Sequence, residues 1–138
     1  MPDSPLSRSH PIVFHAIGFV RNHFTQSADH EHMRAGTSEI VIDAALTDGL
    51  IGLEPGQQIM VIFYFHLAPE GYALCQHPRG DPNRRPRGVF ALRSPHRPNA
   101  IGVTIADLLS VQSNVLQVQG LDALNDTPVL DIKPLYGM

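Results

Sequence analysis

Hydrophobic positions in this chain fall in short blocks, and within most blocks the spacing is two. Residues 12–20 are apolar apart from His15 and read as a first strand, which Arg21-Asn22-His23 ends. Residues 24–36 are polar and predict a loop or a short irregular helix. Glu39-Ile40-Val41-Ile42-Asp43 alternates as a second short strand. Residues 44–53 combine helix formers with close apolar spacing, but Gly49 and Gly52 interrupt them, so one or two turns are expected. Glu54-Pro55-Gly56 is a turn signal. Residues 58–66 form the strongest strand. Ile59, Val61, Phe63 and Phe65 line one face, with Met60, Ile62 and Tyr64 on the other, which predicts a central strand buried on both sides.

Residues 72–76 predict another short strand. Residues 77–86 hold Pro78, Gly80, Pro82 and Pro86 and exclude regular structure; they predict a rigid, arginine-rich loop. An apolar run climbs from residue 87 to Arg93-Ser94, and a second begins at Ile101. Between them lies Pro95-His96-Arg97-Pro98-Asn99, so the stretch reads as strand, loop, strand. Pro95 and Pro98 fix φ on either side of His96 and Arg97 and place both side chains on a stiff frame. Residues 101–111 continue as a strand, Ser113-Asn114 turns, and residues 115–121 alternate with Leu116 and Val118 inward and Gln117 and Gln119 outward. After a second turn at Asn125-Asp126-Thr127-Pro128, residues 129–134 form the last strand. Its period puts Asp131 and Lys133 on one face and Leu130 and Ile132 on the other. Short strands at this spacing with little helix indicate an all-β fold, a small closed or nearly closed β-barrel.

Composition narrows the class. With 138 residues, 43% of them hydrophobic, the chain can build one core, so one domain over residues 11–138 is expected behind a polar, disordered lead at 1–10. A single cysteine, Cys75, excludes an intramolecular disulfide framework and fits a reducing compartment. The N-terminus has no apolar signal-peptide core, and the longest apolar run, 59–65, is too short to cross a bilayer. A soluble cytoplasmic protein with no membrane contact is the expectation.

A net charge of -3 argues against a general nucleic-acid binder, but its distribution argues otherwise. Arg79, Arg84, Arg85, Arg87, Arg93 and Arg97 supply six of the ten Lys and Arg residues, and Asp81 alone opposes them there. Arginine forks suit bidentate phosphate or carboxylate recognition. Arg79, Arg84, Arg85, Arg87, His96 and Arg97 are therefore the candidate substrate-binding set, against the plainer reading of a solvated basic loop paired to surface acids. His30-Glu31-His32 has metal-ligand chemistry, but adjacent residues on a helix do not face one way and no second ligand pair follows at the usual spacing, so no metal site is expected. There is no G-x-G-x-x-G after a strand, which excludes an ordinary Rossmann cofactor site.

Two runs carry a family resemblance. Gly88-Val89-Phe90-Ala91-Leu92-Arg93-Ser94-Pro95-His96-Arg97-Pro98-Asn99-Ala100-Ile101-Gly102 and Leu121-Asp122-Ala123-Leu124-Asn125-Asp126-Thr127-Pro128-Val129-Leu130-Asp131-Ile132-Lys133-Pro134 resemble the signatures of the TsaA/TrmO-type proteins, in the same order. Weaker similarity covers Ile17-Gly18-Phe19-Val20-Arg21 and Phe65-His66. The resemblance implies an S-adenosylmethionine-dependent methyltransferase on a β-barrel, working as a homodimer with the cofactor near the subunit interface. It also implies tRNA as substrate, methylated at N6 of threonylcarbamoyladenosine beside the anticodon. The family's cofactor residues match His66, Leu67, Arg93, Val103, Asn125, Asp126, Thr127 and Pro128. The chain departs from the family pattern in three places. The usual Asp-Gly-Thr-Pro turn is Asn-Asp-Thr-Pro here, so Asp126 stands where glycine is usual and its backbone must tolerate a side chain, while Asn125 can replace the aspartate as an acceptor with only local adjustment expected. The family's Pro-Arg-Gln loop has its nearest counterpart in Met33-Arg34-Ala35. The longer tRNA-modifying members carry a C-terminal extension, whereas this sequence ends shortly after Lys133-Pro134.

Methyl transfer to nitrogen is an in-line displacement in which the nucleophile also loses a proton. Asp131 is the candidate base or orienting acceptor, and Lys133 beside it the candidate partner of a substrate carboxylate. The plainer alternative is that the two pair with each other. A methyltransferase acting on a small anionic molecule, or a non-catalytic module binding S-adenosylmethionine or an anion, are the competing functions.

Overall fold

The alternation in residues 58–66 places the centre of the fold. In a computed structural model, which describes residues 10–26 and 30–136, this run is β3 (Gln58–Tyr64). The other strands are β1 (Gly18–Arg21), β2 (Thr37–Ile42), β4 (Cys75–Gln76), β5 (Arg87–Gly88), β6 (Ile101–Gln112), β7 (Val115–Gln119) and β8 (Pro128–Pro134). A short helix, α1 (His30–Ala35), and 3-10 turns at Ala44–Leu50, Pro78–Gly80 and Val89–Ala91 complete the described elements. Six strands close an antiparallel barrel in the order β1-β2-β7-β6-β3-β8, while β4 and β5 pair as a separate ribbon. The fold expected from the sequence, a closed β-barrel with little helix, is the one observed.

Period-two alternation fills the barrel. Ile59, Val61 and Phe63 from β3, Leu116 and Val118 from β7, Ile40 and Ile42 from β2, and Val129 from β8 point inward and are buried. Gly102 on β6 lies opposite Phe63, and a Cβ there would come within 2.6 Å of the Phe63 ring and 2.7 Å of the Phe65 ring. The glycine is what lets these two rings meet edge to face, at 5.2 Å between centroids. The long β6 serves two neighbours. It pairs with β3 over its first half and with β7 over its second, and the register shifts between Leu108 and Ser110. Such a bulge bends one strand around a barrel corner.

Several strands are shorter than their apolar runs. Residues 12–17 precede β1 rather than belong to it, and Ile12, Val13 and Phe14 are exposed. The reason is the neighbour: β8 meets β1 only at Gly18↔Val129 and Phe19↔Pro128, then shifts register past Phe63↔Val129 to follow β3. The run 72–76 is strand only at β4, and the run 87–94 only at β5, after which Val89–Ala91 turns. Among the described residues no third strand joins that ribbon to extend it. Strand β7 ends at Gln119, because Gly120 adopts φ +90. β3 is central, between β6 and β8, but it is buried on one face only, since Met60, Ile62 and Tyr64 look outward. The expected lead at 1–10 lies outside the described residues except for His10. Among the described residues no helix is long and apolar enough to cross a membrane.

Candidate functional site

The chain from 65 to 100 leaves the barrel after β3 and returns as β6, and it carries most of the candidate binding residues. Both of its ends sit at one end of the barrel, where the Phe65 N–H donates to the Ala100 carbonyl at 2.8 Å. His66 and Leu67 follow Phe65 there, with Leu67 exposed. The turn 125–128 reaches the same end, since β8 begins at Pro128 and Val129 lies opposite Phe63. Arg93 lies exposed in the corner before β6, with no hydrogen-bonding or ionic partner among the described residues. The structure therefore brings His66, Leu67 and the turn to one rim and leaves the Arg93 guanidinium open.

The turn is locked by residues that sequence reasoning passed over. The Asn22 N–H donates to Asn125 Oδ1 at 2.9 Å, and Asn22 Nδ2 donates to Ser38 Oγ and to the Ala123 carbonyl, each at 2.9 Å. Asn125 N–H donates to the Phe24 carbonyl at 2.7 Å and Asp126 N–H to the Val20 carbonyl at 2.8 Å. Asn22, Ser38 and Asn125 thus form one polar bridge from β1 and β2 to the turn. The signal available in sequence was weak: an Asn after a strand reads as a chain terminator, and its partners lie 16 and 103 positions away. Asn125 Oδ1 is thus an acceptor within the chain, for the Asn22 N–H. Asp126 adopts φ +68, the conformation for which glycine is the unstrained choice, and keeps its carboxylate exposed. Thr127 is buried and its hydroxyl donates to the Leu124 carbonyl at 2.6 Å, so that hydroxyl is spent within the turn.

Asp131 and Lys133 sit elsewhere, on the outer surface of the barrel. Asp131 lies opposite Ile62, and Ile62 lies opposite Val103, so Asp131, Ile62 and Val103 form one cross-strand row over β8, β3 and β6. Two strand spacings, about 10 Å, separate its ends. The next row is Lys133, Met60 and Ile105. The candidate base and one candidate cofactor residue thus share a face. Lys133 Nζ stands 3.0 Å from Asp131 Oδ2, and the Ile132 N–H donates to Asp131 Oδ1 at 2.9 Å. The pairing weighed from sequence is present, at a half-exposed position where it contributes little stability. Leu130 falls at the register shift, which is why the simple alternation of β8 breaks before Asp131.

The arginine-rich loop is tied together by its own hydrogen bonds. His77 Nδ1 is 2.7 Å from the Arg84 carbonyl, and Asp81 Oδ1 accepts the Asn83 N–H at 2.9 Å. Arg79 holds φ 54. Gln76 Nε2 donates to the carbonyls of Ala73 and His96, both at 2.7 Å, tying β4 to the Pro-His-Arg-Pro corner. Arg97 Nη1 donates to the carbonyls of Leu92 and Ser94, both at 3.0 Å, so this guanidinium shapes the corner with one nitrogen and keeps its other donors. Arg79, Arg84, Arg85, Arg87 and His96 are exposed. In α1, His32 packs edge-on against Phe24 at 5.9 Å, and Met33 of the Met33-Arg34-Ala35 run is buried while Arg34 is exposed.

The donor set suits S-adenosylmethionine. An open guanidinium at Arg93 matches an amino-acid carboxylate, the exposed carboxylate of Asp126 matches hydroxyl or ammonium donors, and Leu67, Ile62 and Val103 offer apolar surface to a nucleoside.

Comparison with known proteins agrees with this chemistry. The family model of the tRNA-methyltransferase O N-terminal domain matches residues 20–137. A probable S-adenosyl-L-methionine-binding protein of Methanothermobacter thermautotrophicus is 41% identical over 91% of this chain and 90% of its own length. The human tRNA (adenine(37)-N6)-methyltransferase is 44% identical over 62% of this chain, which spans 19% of that protein. The crystal structure of TrmO from Pseudomonas aeruginosa superposes with a TM-score of 0.72 and 29% identity, covering 91% of this chain and 56% of that one.

Proposed function

This chain belongs to the tRNA-methyltransferase O N-terminal domain family, and from that premise we propose that it is an S-adenosylmethionine-dependent methyltransferase acting on tRNA, with N6 of threonylcarbamoyladenosine beside the anticodon as acceptor. The observation that carries the reading is spatial. The two motifs, at 88–102 and 121–134, feed β6 and β8, which flank β3 and set Val103, Ile62 and Asp131 in one row.

S-adenosylmethionine, when bound, supplies a methyl carbon activated by a sulfonium leaving group. His66, Leu67, Arg93, Val103 and the turn 125–128 would hold it. The remaining tasks fall to this chain's side chains. Asp131 accepts the proton that the attacking nitrogen gives up, and Lys133, 3.0 Å away, keeps that carboxylate oriented and offers a cation to the substrate's own carboxylate. The loop arginines hold tRNA phosphates.

A homodimer fits the same face. Tyr64, Ile101 and Ile105 are 46%, 39% and 45% exposed on the outside of β3 and β6, beside the half-buried Met60, Ile62 and Val103. Contiguous exposed apolar surface on a sheet face is a common mark of an association site. A second copy on this face would bring Asp131 and Val103 to the subunit interface. A dimer mass by light scattering at micromolar concentration is expected, and a monomer rejects the arrangement. The exposed free Cys75 suits a reducing, cytoplasmic setting.

Transfer of labelled methyl from S-adenosylmethionine into total tRNA, compared with a small-metabolite fraction, tests the function. Label in tRNA is expected. Label only in the small fraction moves the substrate to a small anionic molecule, and cofactor binding without transfer leaves a binding module.

A further inference from the structure

The excursion between β3 and β6 exposes more apolar surface than its own packing explains. Phe90 is 80% exposed, Leu74 64% and Tyr72 37%. These three, with Arg97, Pro98 and Asn99, line a hollow of about 530 Å³. The frame that holds them is stiff. Val89, the residue before Phe90, is buried, and its N–H donates to the Leu74 carbonyl at 2.8 Å. The Leu92 N–H donates to the Val89 carbonyl at 3.2 Å, closing the 3-10 turn that carries Phe90. Gln76 ties the Tyr72 side of the hollow to the Arg97 side through its bonds to Ala73 and His96. Phe90 is thus held out toward solvent by a structured turn rather than left there by a loose one.

Arg97 borders this aromatic surface, and further arginines precede it in the chain. Arg87 lies opposite Gln76 in the β4–β5 ribbon, three residues before Phe90. Arg97 lines the hollow itself and has donors to spare beyond Nη1. Arg84 and Arg85 precede Arg87 in the same loop, and Asp81, the acid of that loop, turns an oxygen to the Asn83 N–H. An apolar partner would gain nothing from this rim. A partner with flat apolar faces joined by negative charges would use both parts.

We propose that the Phe90–Tyr72–Leu74 hollow is a stacking platform for unpaired nucleobases of single-stranded RNA, with Arg87 and Arg97 on the flanking phosphates. Unstacked bases in RNA loops are recognised by stacking on aromatic rings and by arginine beside the backbone. The platform deepens the tRNA reading above and rests on it, and it assigns the loop contacts to residues distinct from the rim at His66 and the turn 125–128.

The test uses a fluorescently labelled anticodon stem-loop RNA and the full chain, with S-adenosylmethionine binding measured by calorimetry on every variant. Phe90→Leu keeps the apolar volume and loses the ring, and Phe90→Tyr keeps the ring. Phe90→Leu is expected to weaken stem-loop binding by about fivefold to a hundredfold, the range of one stacked base. Phe90→Tyr is expected to restore it, and cofactor affinity is expected to stay within about twofold for both. A fully paired RNA duplex of the same length is expected to be insensitive to Phe90→Leu. Equal stem-loop affinity for Phe90→Leu and wild type overturns the platform while leaving the tRNA reading intact. Loss of cofactor affinity in Phe90→Leu assigns the ring to the cofactor site, and a change of oligomeric mass assigns it to a subunit contact; either overturns the proposal. A wild-type protein with no stem-loop affinity at low salt removes both the platform and the tRNA reading.

Discussion

Phe63 and Val89 are both buried, but they sit in different kinds of structure. Phe63 is one of many inward residues of the barrel, paired on one side with Gly102 and on the other with Val129. Val89 is almost alone: in the excursion from 65 to 100, it and Pro78 are the buried residues. The barrel is held by apolar burial repeated on every strand. The excursion is held by proline, by side chain to backbone hydrogen bonds from Gln76, His77, Asp81 and Arg97, and by one anchoring valine. This is how the binding residues remain available. A region stabilised by hydrophobic burial would turn its large side chains inward, whereas this one can hold Phe90 and its arginines outward on a fixed backbone.

The comparison breaks most readily at the barrel. Phe63→Ala removes a ring from a packed core, and a loss of about 3–5 kcal/mol is expected, read from the urea midpoint. A loss under 1 kcal/mol would mean that the barrel does not depend on this layer. Asn22→Ala tests whether the rim belongs with the barrel. It strips partners from the buried Ser38 hydroxyl and the Ala123 carbonyl, and about 1–3 kcal/mol is expected, together with weaker cofactor binding. Unchanged stability would place the turn with the loosely held region instead.

Asp126→Gly relieves a left-handed side-chain residue and is expected to raise stability by about 0.5–1 kcal/mol. A decrease would indicate that the aspartate carboxylate makes a contact worth more than the strain. The smallest effect on global unfolding is expected from Gln76→Ala, about 0.5 kcal/mol or less, because the excursion adds little to the core. Amide exchange across residues 72–100 should nevertheless rise, as local opening becomes easier than global unfolding. Equal exchange in mutant and wild type would show that the Gln76 stitch does not hold the frame.

Local pattern was enough for the barrel strands because each carries its own inward face. The alternation of Leu116 and Val118 against Gln117 and Gln119 names the buried side before any partner strand is known, and it is the side observed. The β-barrel class, the turns and the family motifs were all legible at this level, since proline, glycine and period-two spacing act over a few residues. Tertiary structure decided what depends on partners far along the chain. Ile12, Val13 and Phe14 have strand-like sequence, yet they stay unpaired because β8 follows β3. The bridge from Asn22 through Ser38 and Asn125 joins three separate segments, and no local pattern announces it. Phe90 reads as one more apolar residue in a strand, and only the turn at Val89–Ala91 sends its ring outward. The physical reason is common to all three: alternation specifies which side chains seek a core, while the neighbouring strand or its absence decides which of them reach one.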